Sequence, residues 1–267
     1  MITTKRRPAP AAPSPSTGST ISPIEMAGVT KVYGSGSAAV PALDGIDLRI
    51  EEQDFVCVVG ASGCGKSTLL NLVAGLDSPT SGLLQVGGAT ALMFQESALF
   101  PWLTVSGNVE LALRLCGVPR GERVARAEDL LESVHLSGFG KKRPHELSGG
   151  MRQRVALARA FAQDAEILLM DEPFGALDAM TRDILHHELE RLWHERALTV
   201  VFVTHNVREA VRLGNRVVLL SSRPGRVVEE FTVPFARPRS IESPQVSALA
   251  GEITARLRME VRRHGGR

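Results

Sequence analysis

Three glycines, one lysine and three hydroxyl residues fall within nine consecutive positions in the first third of the chain. The nine residues are Gly60, Ala61, Ser62, Gly63, Cys64, Gly65, Lys66, Ser67 and Thr68. They fit the pattern Gly-x-x-x-x-Gly-Lys-Ser/Thr, in which glycines let the backbone wrap around a phosphate and point N–H groups at it. In that pattern Lys66 reaches the β- and γ-phosphates, and the Ser67 hydroxyl binds Mg²⁺. The segment therefore predicts nucleotide binding, against the alternative of a glycine-rich turn that matches by chance.

Two carboxylates follow an apolar run in the second half of the chain. Residues Ile167–Met170 are all apolar, and Asp171 and Glu172 come directly after them. Ligands of α/β proteins bind at the carboxyl ends of the strands, where these side chains would lie. There Asp171 can hold Mg²⁺, directly or through water, and Glu172 can polarise the water that attacks a γ-phosphate. Read alone, the same pattern also fits a strand followed by a helix-capping acid.

Short apolar runs rich in β-branched residues must supply the strands that position these groups. The runs are Phe55–Val59, Ala91–Phe94, Ile167–Met170, Val200–Val203 and Val217–Leu220. Runs that are apolar throughout are typical of strands buried on both faces of a parallel sheet, and helix-like stretches lie between these ones. The pattern predicts an α/β core, with the phosphate loop joining a strand to a helix that starts near Leu69.

The rest of the chain differs in composition from this core. Residues 100–150 contain few strand-like runs and read as an inserted helical subdomain. Residues 1–23 are rich in Pro, Ala and Ser and are expected to form a disordered tail, because such a segment cannot bury enough apolar surface to offset its ordering entropy. Residues 234–267 begin with a Pro/Arg loop and are expected to end in an amphipathic helix.

Charge and cysteine content exclude several classes of protein. The formal net charge is +2, yet residues 24–250 hold 23 basic and 27 acidic residues, so the basic excess lies at the two ends. A nucleic-acid-binding domain would carry a basic surface, so no nucleic-acid partner is expected. The three cysteines form no Cys-x-x-Cys pair, which fits a reducing compartment without a disulfide framework or zinc site. No apolar run approaches the roughly 20 residues of a membrane-spanning helix.

Residues 147–154, Leu-Ser-Gly-Gly-Met-Arg-Gln-Arg, resemble the signature motif of ABC transporter ATPases. Six elements occur in the order of that family, over residues 24–233: the phosphate loop, Gln95, the signature segment, Asp171-Glu172, Ala176-Leu177-Asp178 and His205. The resemblance implies a P-loop NTPase core with an N-terminal antiparallel β region and an α-helical subdomain inserted at about residues 100–150. It also implies ATP and Mg²⁺ as the bound groups.

The resemblance implies that two copies of the chain pack head to tail and sandwich two ATP molecules. In the family the signature residues contact the ATP bound to the partner subunit, a role that falls here on Ser148, Gly149, Gly150 and Gln153. A helix that opens with small residues is also an anion site on physical grounds. Asp178 matches the aspartate that crosses the dimer interface. The working state would therefore be a homodimer.

Further roles are carried over from the family residue by residue. Tyr33, the only tyrosine of the chain, matches the aromatic residue that stacks on adenine. Gln95 matches the glutamine that touches Mg²⁺ and senses the γ-phosphate, and His205 matches the histidine that helps organise the attacking water. The implied catalytic set is Glu172, His205 and Lys66. The implied Mg²⁺ set is Ser67, Gln95 and Asp171. Without the resemblance, Tyr33 would also fit a core or surface aromatic residue, Gln95 a surface residue and His205 a histidine with a structural role.

Three further segments, 99–105, 173–178 and 223–226, look like those of the nitrate, sulfonate and taurine group of importers, and residues 90–96 look most like aliphatic sulfonate importers. The resemblance thus implies the ATP-hydrolysing subunit of an importer of a small oxyanion, with aliphatic sulfonates as the expected cargo. Taurine, nitrate or a vitamin precursor is the alternative cargo. A permease-free ABC ATPase is the alternative of a different class.

An ATPase of this kind borrows its membrane span from transmembrane permease subunits. The resemblance places their contact near Leu99, Phe100 and Trp102, and a solute-binding protein would act through the permease. The chain would then sit peripherally at the cytoplasmic face of the membrane. The basic residues at the ends serve solubility or, alternatively, contact anionic lipid headgroups.

Cys64 carries a separate expectation about its reactivity. It lies among N–H groups that bind anions and beside Lys66, both of which favour a thiolate. We therefore expect Cys64 to react readily with thiol reagents and ATP to protect it.

Overall fold

The computed structural model describes residues 22–175 and 177–264. The disordered tail predicted for residues 1–23 lies outside the described residues, except for its last two positions. Those two positions differ from the prediction, because Ser22 and Pro23 are buried. The Ser22 hydroxyl donates a hydrogen bond to Glu51 at 3.0 Å, which ties the start of the described chain to the first sheet.

Strands and helices alternate along most of the described chain. The strands are β1 (Ile24–Tyr33), β2 (Val40–Ile50), β3 (Phe55–Val59), β4 (Ser81–Val86), β5 (Thr90–Met93), β6 (Ile167–Asp171), β7 (Thr199–Val203), β8 (Arg216–Leu220) and β9 (Val227–Thr232). The α-helices are α1 (Lys66–Val73), α2 (Val105–Leu115), α3 (Arg120–Ser133), α4 (Gly149–Phe161), α5 (Ala179–Glu195), α6 (Val207–Leu213) and α7 (Pro244–His264).

The larger sheet has the strand order β5-β6-β7-β3-β8-β9. Its strands are parallel except for β9, which runs antiparallel to β8. All five apolar runs of the sequence form strands of this sheet, and β3, β6 and β7 are buried at every residue. Because β6, β7 and β3 are neighbours with the same direction, the segments that follow them meet at one edge. Those segments are the phosphate loop, Glu172 and the turn that carries His205.

A smaller antiparallel sheet, with the order β2-β1-β4, forms the N-terminal part of the fold. Its apolar side chains Ile24, Ile46 and Leu48 join one hydrophobic cluster with α1 and one face of the larger sheet. The α/β class and the N-terminal antiparallel region predicted for the chain are therefore confirmed.

The helices α2, α3 and α4 pack on one another next to the edge strand β5. Thr104 caps α2, because its hydroxyl accepts a hydrogen bond from the Gly107 N–H at 3.0 Å. Buried apolar residues such as Val109, Leu131 and Val155 join this helical group to the second face of the large sheet. None of the helices within residues 22–175 and 177–264 is both long and apolar enough to cross a membrane.

The chain after β9 is held against α6 by one buried arginine. Arg239 is 7% exposed and donates hydrogen bonds to five backbone carbonyls, of Val211, Arg212, Gly214, Val233 and Phe235. Burial and the nearby Arg237 lower the pKa of Arg239 to about 10, so the side chain remains charged at neutral pH. The helix α7 follows and packs on α6.

Candidate functional site

The phosphate loop joins β3 to α1 in a conformation that requires glycine at its end. Gly65 has φ +101°, a left-handed value, and an added Cβ would lie 2.7 Å from the Ala42 carbonyl oxygen and 2.7 Å from the Leu43 side chain. The Lys66 ammonium is buried and donates hydrogen bonds to the carbonyls of Gly60 at 3.0 Å and Ala61 at 2.9 Å. The lysine thus runs back across the loop, at the position expected for contact with a nucleotide's terminal phosphates.

Cys64 does not have the environment that the reactivity expectation requires. It is 1% exposed, and burial raises the pKa of its thiol, although Lys66 opposes the shift. The expectation of a readily formed thiolate is therefore wrong. The positive groups near Cys64 favour a thiolate, but the loss of water around the buried sulfur disfavours it and is the larger effect here.

Ser67 and Asp171 provide oxygen ligands suited to Mg²⁺. Asp171 ends β6 and is 8% exposed, and its burial raises the pKa of its carboxyl group. The Ser67 hydroxyl donates a hydrogen bond to this carboxylate and acts against that shift, as does the nearby Lys66. A hydroxyl and a carboxylate that meet beside a phosphate loop match the preference of Mg²⁺ for oxygen ligands. These residues therefore fit the ion.

Glu172 and His205 meet at the same edge of the sheet. Glu172 Oε2 lies 3.0 Å from His205 Nδ1. The Glu172 backbone has φ +46°, uncommon for a residue with a side chain, and its N–H donates to the Val203 carbonyl at 2.9 Å. The two side chains line a cavity of about 40 Å³ that has room for a water molecule.

The signature residues occupy an exposed helix N-terminus. α4 begins at Gly149, and the Ser148 hydroxyl caps it by accepting a hydrogen bond from the Met151 N–H at 3.2 Å. Ser148 and Gly149 are exposed, so the first N–H groups of the helix are open to an external anion.

Gln153 does not lie at this exposed helix N-terminus, although it was expected to contact a partner's ATP together with Ser148 and Gly149. It is buried, and its amide donates a hydrogen bond to the Gln95 carbonyl at 2.7 Å. Arg159, further along α4, donates to the carbonyls of Ser97 at 3.1 Å and Ala98 at 2.6 Å. The helix that begins with the signature residues thus holds the backbone of the Gln95 loop, while the Gln95 side chain remains exposed.

Asp178 and Tyr33 lie on exposed parts of the structure. Asp178 is the N-cap of α5 and accepts a hydrogen bond from the Thr181 N–H at 3.0 Å, which lowers the pKa of its carboxyl group. Tyr33 ends β1 and is 39% exposed, with the Lys31 ammonium 5.0 Å from the centre of its ring. Ala176, which precedes Leu177 and Asp178 in their shared motif, lies outside the described residues.

An apolar groove runs between β5, the loop after it, and α2. Its volume is about 610 Å³, and its lining includes Leu92, Phe94, Phe100, Leu111 and Leu115. Trp102 lies beside Phe100, with ring centres 5.4 Å apart, and is 67% exposed. The predicted permease contacts Leu99 and Phe100 are half-buried, so they also pack inside the chain.

Comparison with known protein families and curated sequences gives consistent results. Residues 43–175 match the family model described as ABC transporter. An uncharacterized ABC transporter ATP-binding protein of Methanocaldococcus jannaschii is 44% identical over 246 residues, which cover 89% of this chain and 92% of that protein. A taurine import ATP-binding protein of Burkholderia thailandensis is 48% identical over 217 residues, covering 78% and 84%. An aliphatic sulfonates import ATP-binding protein of Bacillus cereus is 42% identical over 232 residues, covering 83% and 91%.

A solved structure agrees with these sequence matches. It is a dimeric, post-hydrolysis state of an ATP-binding cassette bound to ADP and Pi. It superposes with a TM-score of 0.74 at 35% identity and covers 80% of this chain and all of the other. Fold, motif order and sequence identity lead to the same assignment, and the chain belongs to the ABC transporter family.

Proposed function

We propose that this chain is the ATP-hydrolysing subunit of an importer for a small oxyanionic solute, with aliphatic sulfonates as the cargo. The observation that carries the ATPase part is the 3.0 Å contact between Glu172 and His205 beside the phosphate loop. Lys66 there holds the terminal phosphates, while Ser67, Asp171 and Gln95 supply oxygen ligands. Bound Mg²⁺ neutralises phosphate charge at this site.

Glu172 is the general base for hydrolysis. Its carboxylate accepts a proton from the water that attacks the γ-phosphorus, the bond to the β-phosphate oxygen breaks, and ADP and phosphate leave. His205 holds Glu172 through the hydrogen bond to Oε2 and also faces the cavity where a water fits.

The exposed start of α4 supports a homodimer as the working state. Ser148, Gly149 and Gly150 form an anion site that the chain's own phosphate loop does not need, so this site is free for ATP bound to a second copy. Asp178, exposed at the start of α5, would lie at the interface. ATP that bridges two chains binds the closed dimer better than the open one and so shifts the population toward closure.

The apolar groove beside Trp102 supports a permease as the partner. Exposed apolar patches on soluble chains commonly mark protein contacts, and Trp is enriched among the residues that dominate them. Closure of the dimer would move the helices that line the groove, and the permease with them. In this proposal the chain sits peripherally at the cytoplasmic face of a membrane.

The cargo assignment is supported by sequence resemblance and is tested by transport. Relatives carry names for import of taurine, aliphatic sulfonates, nitrate and bicarbonate, so their common feature is a small anionic or zwitterionic solute. The test is ATP hydrolysis by the complex of this chain with its permease, stimulated by the solute-binding protein loaded with alkanesulfonate, taurine or nitrate. We expect the largest stimulation with alkanesulfonates. A larger stimulation with taurine or nitrate would reassign the cargo, and a complex without ATPase activity would overturn the proposal.

Replacing Tyr33 by alanine is expected to weaken ATP binding while leaving the phosphate loop intact. Loss of one aromatic stack costs about 1–3 kcal/mol, or about 5- to 150-fold in Kd. Calorimetric titration with Mg-ATP measures this effect, and titration with tripolyphosphate, which has no base, should show none. Tyr33→Phe keeps the ring and serves as the control. Equal weakening for both ligands would contradict stacking on adenine.

Replacing Trp102 by alanine is expected to weaken association with the permease by about 30-fold or more, as for a central interface residue worth about 2 kcal/mol. Co-purification and binding measured with the permease in detergent report the loss, and the affinity for ATP should stay constant. Leu83→Ala removes a similarly exposed apolar side chain from the smaller sheet and is the matched control. Equal binding by both variants would place the permease contact elsewhere.

A further inference from the structure

A buried polar network lies directly behind Glu172 and His205, between α5, α6 and the end of β7. Its members His186, Thr204, Glu209 and Arg212 are each at most 4% exposed. Buried polar groups are costly unless they are paired, so such a group of side chains is strongly constrained. The proposed reaction assigns no step to these four residues, although Thr204 and Glu209 also line the cavity of Glu172 and His205.

The donors and acceptors of this network can be assigned. Arg212 Nη1 lies 3.0 Å from His186 Nδ1, and arginine has no acceptor, so the arginine donates and Nδ1 carries the lone pair. The proton of the neutral ring is therefore on Nε2, which donates to Glu209 Oε1 at 2.8 Å. The Thr204 hydroxyl donates to Glu209 Oε2 at 2.5 Å. Both carboxylate oxygens of Glu209 are thus engaged.

The network ends on the backbone of the turn that carries His205. The Asn206 N–H donates to the Thr204 hydroxyl oxygen at 3.0 Å, so this hydroxyl bridges Glu209 and the turn. The Asn206 side chain in turn caps α6 by accepting from the N–H groups of Arg208 and Glu209. His205, between the two bridged residues, therefore has its backbone fixed from both sides.

The same network also contacts the segment after Glu172. The His186 ring meets the Phe174 ring edge to face, with centres 5.0 Å apart and planes at 69°. Phe174 is 2% exposed and follows Glu172 by two residues. At the far end, Arg212 forms an ion pair with Asp183 at the start of α5. His186 thus packs on Phe174, which follows Glu172, and through Glu209 it is hydrogen-bonded to Thr204, which precedes His205.

We propose that Thr204, Glu209 and His186 are positioning residues for ATP hydrolysis, which set the turn of His205 against the segment of Glu172 so that their 3.0 Å contact forms. This proposal rests on the proposed ATPase function. None of the three is expected to touch the nucleotide. Loss of the network displaces reacting groups by a fraction of an ångström to an ångström, which lowers kcat and leaves the binding of ATP unchanged.

Thr204→Val tests the proposal, since valine keeps the shape and removes only the hydroxyl. We expect kcat to fall about 10-fold or more while KM for ATP stays within about twofold. Thr204→Ser keeps the hydroxyl and should restore kcat to within about threefold of the unsubstituted chain. Rates are measured on the full chain at saturating Mg-ATP and divided by the ATP-binding stoichiometry, which counts the folded molecules.

Glu209→Gln provides a second measurement if Thr204→Val folds poorly. A glutamine side chain has the same shape, but its single oxygen can serve only one of the two donors, so the same loss of kcat is expected. His186→Gln can still accept from Arg212 and donate to Glu209 but lacks the ring that meets Phe174, so a loss of kcat smaller than that of Glu209→Gln is expected.

A network that serves stability alone would give a different pattern. Thr204→Val and Glu209→Gln would then lower the melting temperature and the binding stoichiometry but leave kcat per binding site unchanged, and this would overturn the proposal. An equal loss in Thr204→Val and Thr204→Ser would do so as well. A complex of the unsubstituted chain with its permease that has no ATPase activity would overturn the proposed function instead, so the two failures are distinguishable.

Discussion

Replacing Glu172 by glutamine is expected to reduce ATP turnover by about 10³-fold while leaving ATP binding intact, because an amide cannot accept the proton of the attacking water. Glutamine has the same shape and can still form a hydrogen bond with His205, so the geometry of the site is retained. ATP that binds and is not hydrolysed would hold two chains together. We therefore expect a stable dimer of Glu172→Gln at saturating Mg-ATP.

Size-exclusion chromatography with Mg-ATP in the column buffer measures the dimer, and phosphate release measures the turnover. The unsubstituted chain is the control for hydrolysis and is expected to elute mainly as a monomer, because hydrolysis reopens the dimer in every cycle. Glu172→Gln together with Lys66→Ala should not dimerise, because the phosphates are then no longer held. A monomer of Glu172→Gln at saturating ATP would argue against the sandwich dimer. Turnover within tenfold of the unsubstituted chain would argue against Glu172 as the base.

Replacing Arg239 by methionine is expected to lower the free energy of unfolding by about 2–4 kcal/mol. Five backbone carbonyls lose their charged donor, and three of them, from Val211, Arg212 and Gly214, lie at the C-terminal end of α6. Methionine fills a similar volume and removes the cost of burying the charge, which offsets part of the loss. The cost of leaving these carbonyls without a donor is the larger effect, so the substitution is expected to destabilise the fold.

Urea unfolding followed by circular dichroism measures this change. Arg256→Met is the matched control, because Arg256 lies half-exposed on α7 and forms one ion pair with Glu229 at 3.3 Å. Exposed pairs of this kind contribute at most about 1 kcal/mol. Equal midpoints for Arg239→Met and Arg256→Met would show that water or a shift of the chain replaces the five bonds.

The strands and the order of the site residues could be predicted from the sequence because they depend on local patterns. The run from Phe55 to Val59 is apolar at every position, so it had to be a strand buried on both faces, and β3 is one. Asp171 and Glu172 were expected at a strand end on the same reasoning, and they lie there. The segment 100–150, interpreted as helical, contains α2 and α3, and α4 begins at its end.

Features that depend on contacts between residues far apart in the sequence could not be predicted from local patterns. Glu209 and Arg212 look like ordinary surface charges of a short helix, and no motif marks His186. Their burial follows from packing between α5 and α6, whose contacting residues lie 23 to 29 positions apart. Gln153 follows the signature residues in sequence, yet one helical turn carries its side chain inward to the Gln95 carbonyl. The charged neighbours of Cys64 favour a thiolate, whereas burial of the thiol is the larger effect and raises its pKa.

The two tryptophans of the chain lie in opposite environments, and this difference gives the protein two separable optical signals. Trp102 is largely in water at the rim of the apolar groove. Trp193 is half-buried, with its ring nitrogen hydrogen-bonded to the Gln53 carbonyl and the Arg237 guanidinium 4.6 Å from the ring centre. Emission from Trp102 would shift to the blue when a partner covers the groove, while that of Trp193 would serve as an internal reference. Because both signals come from the chain itself, binding of a partner at this groove could be followed in real time without any added label.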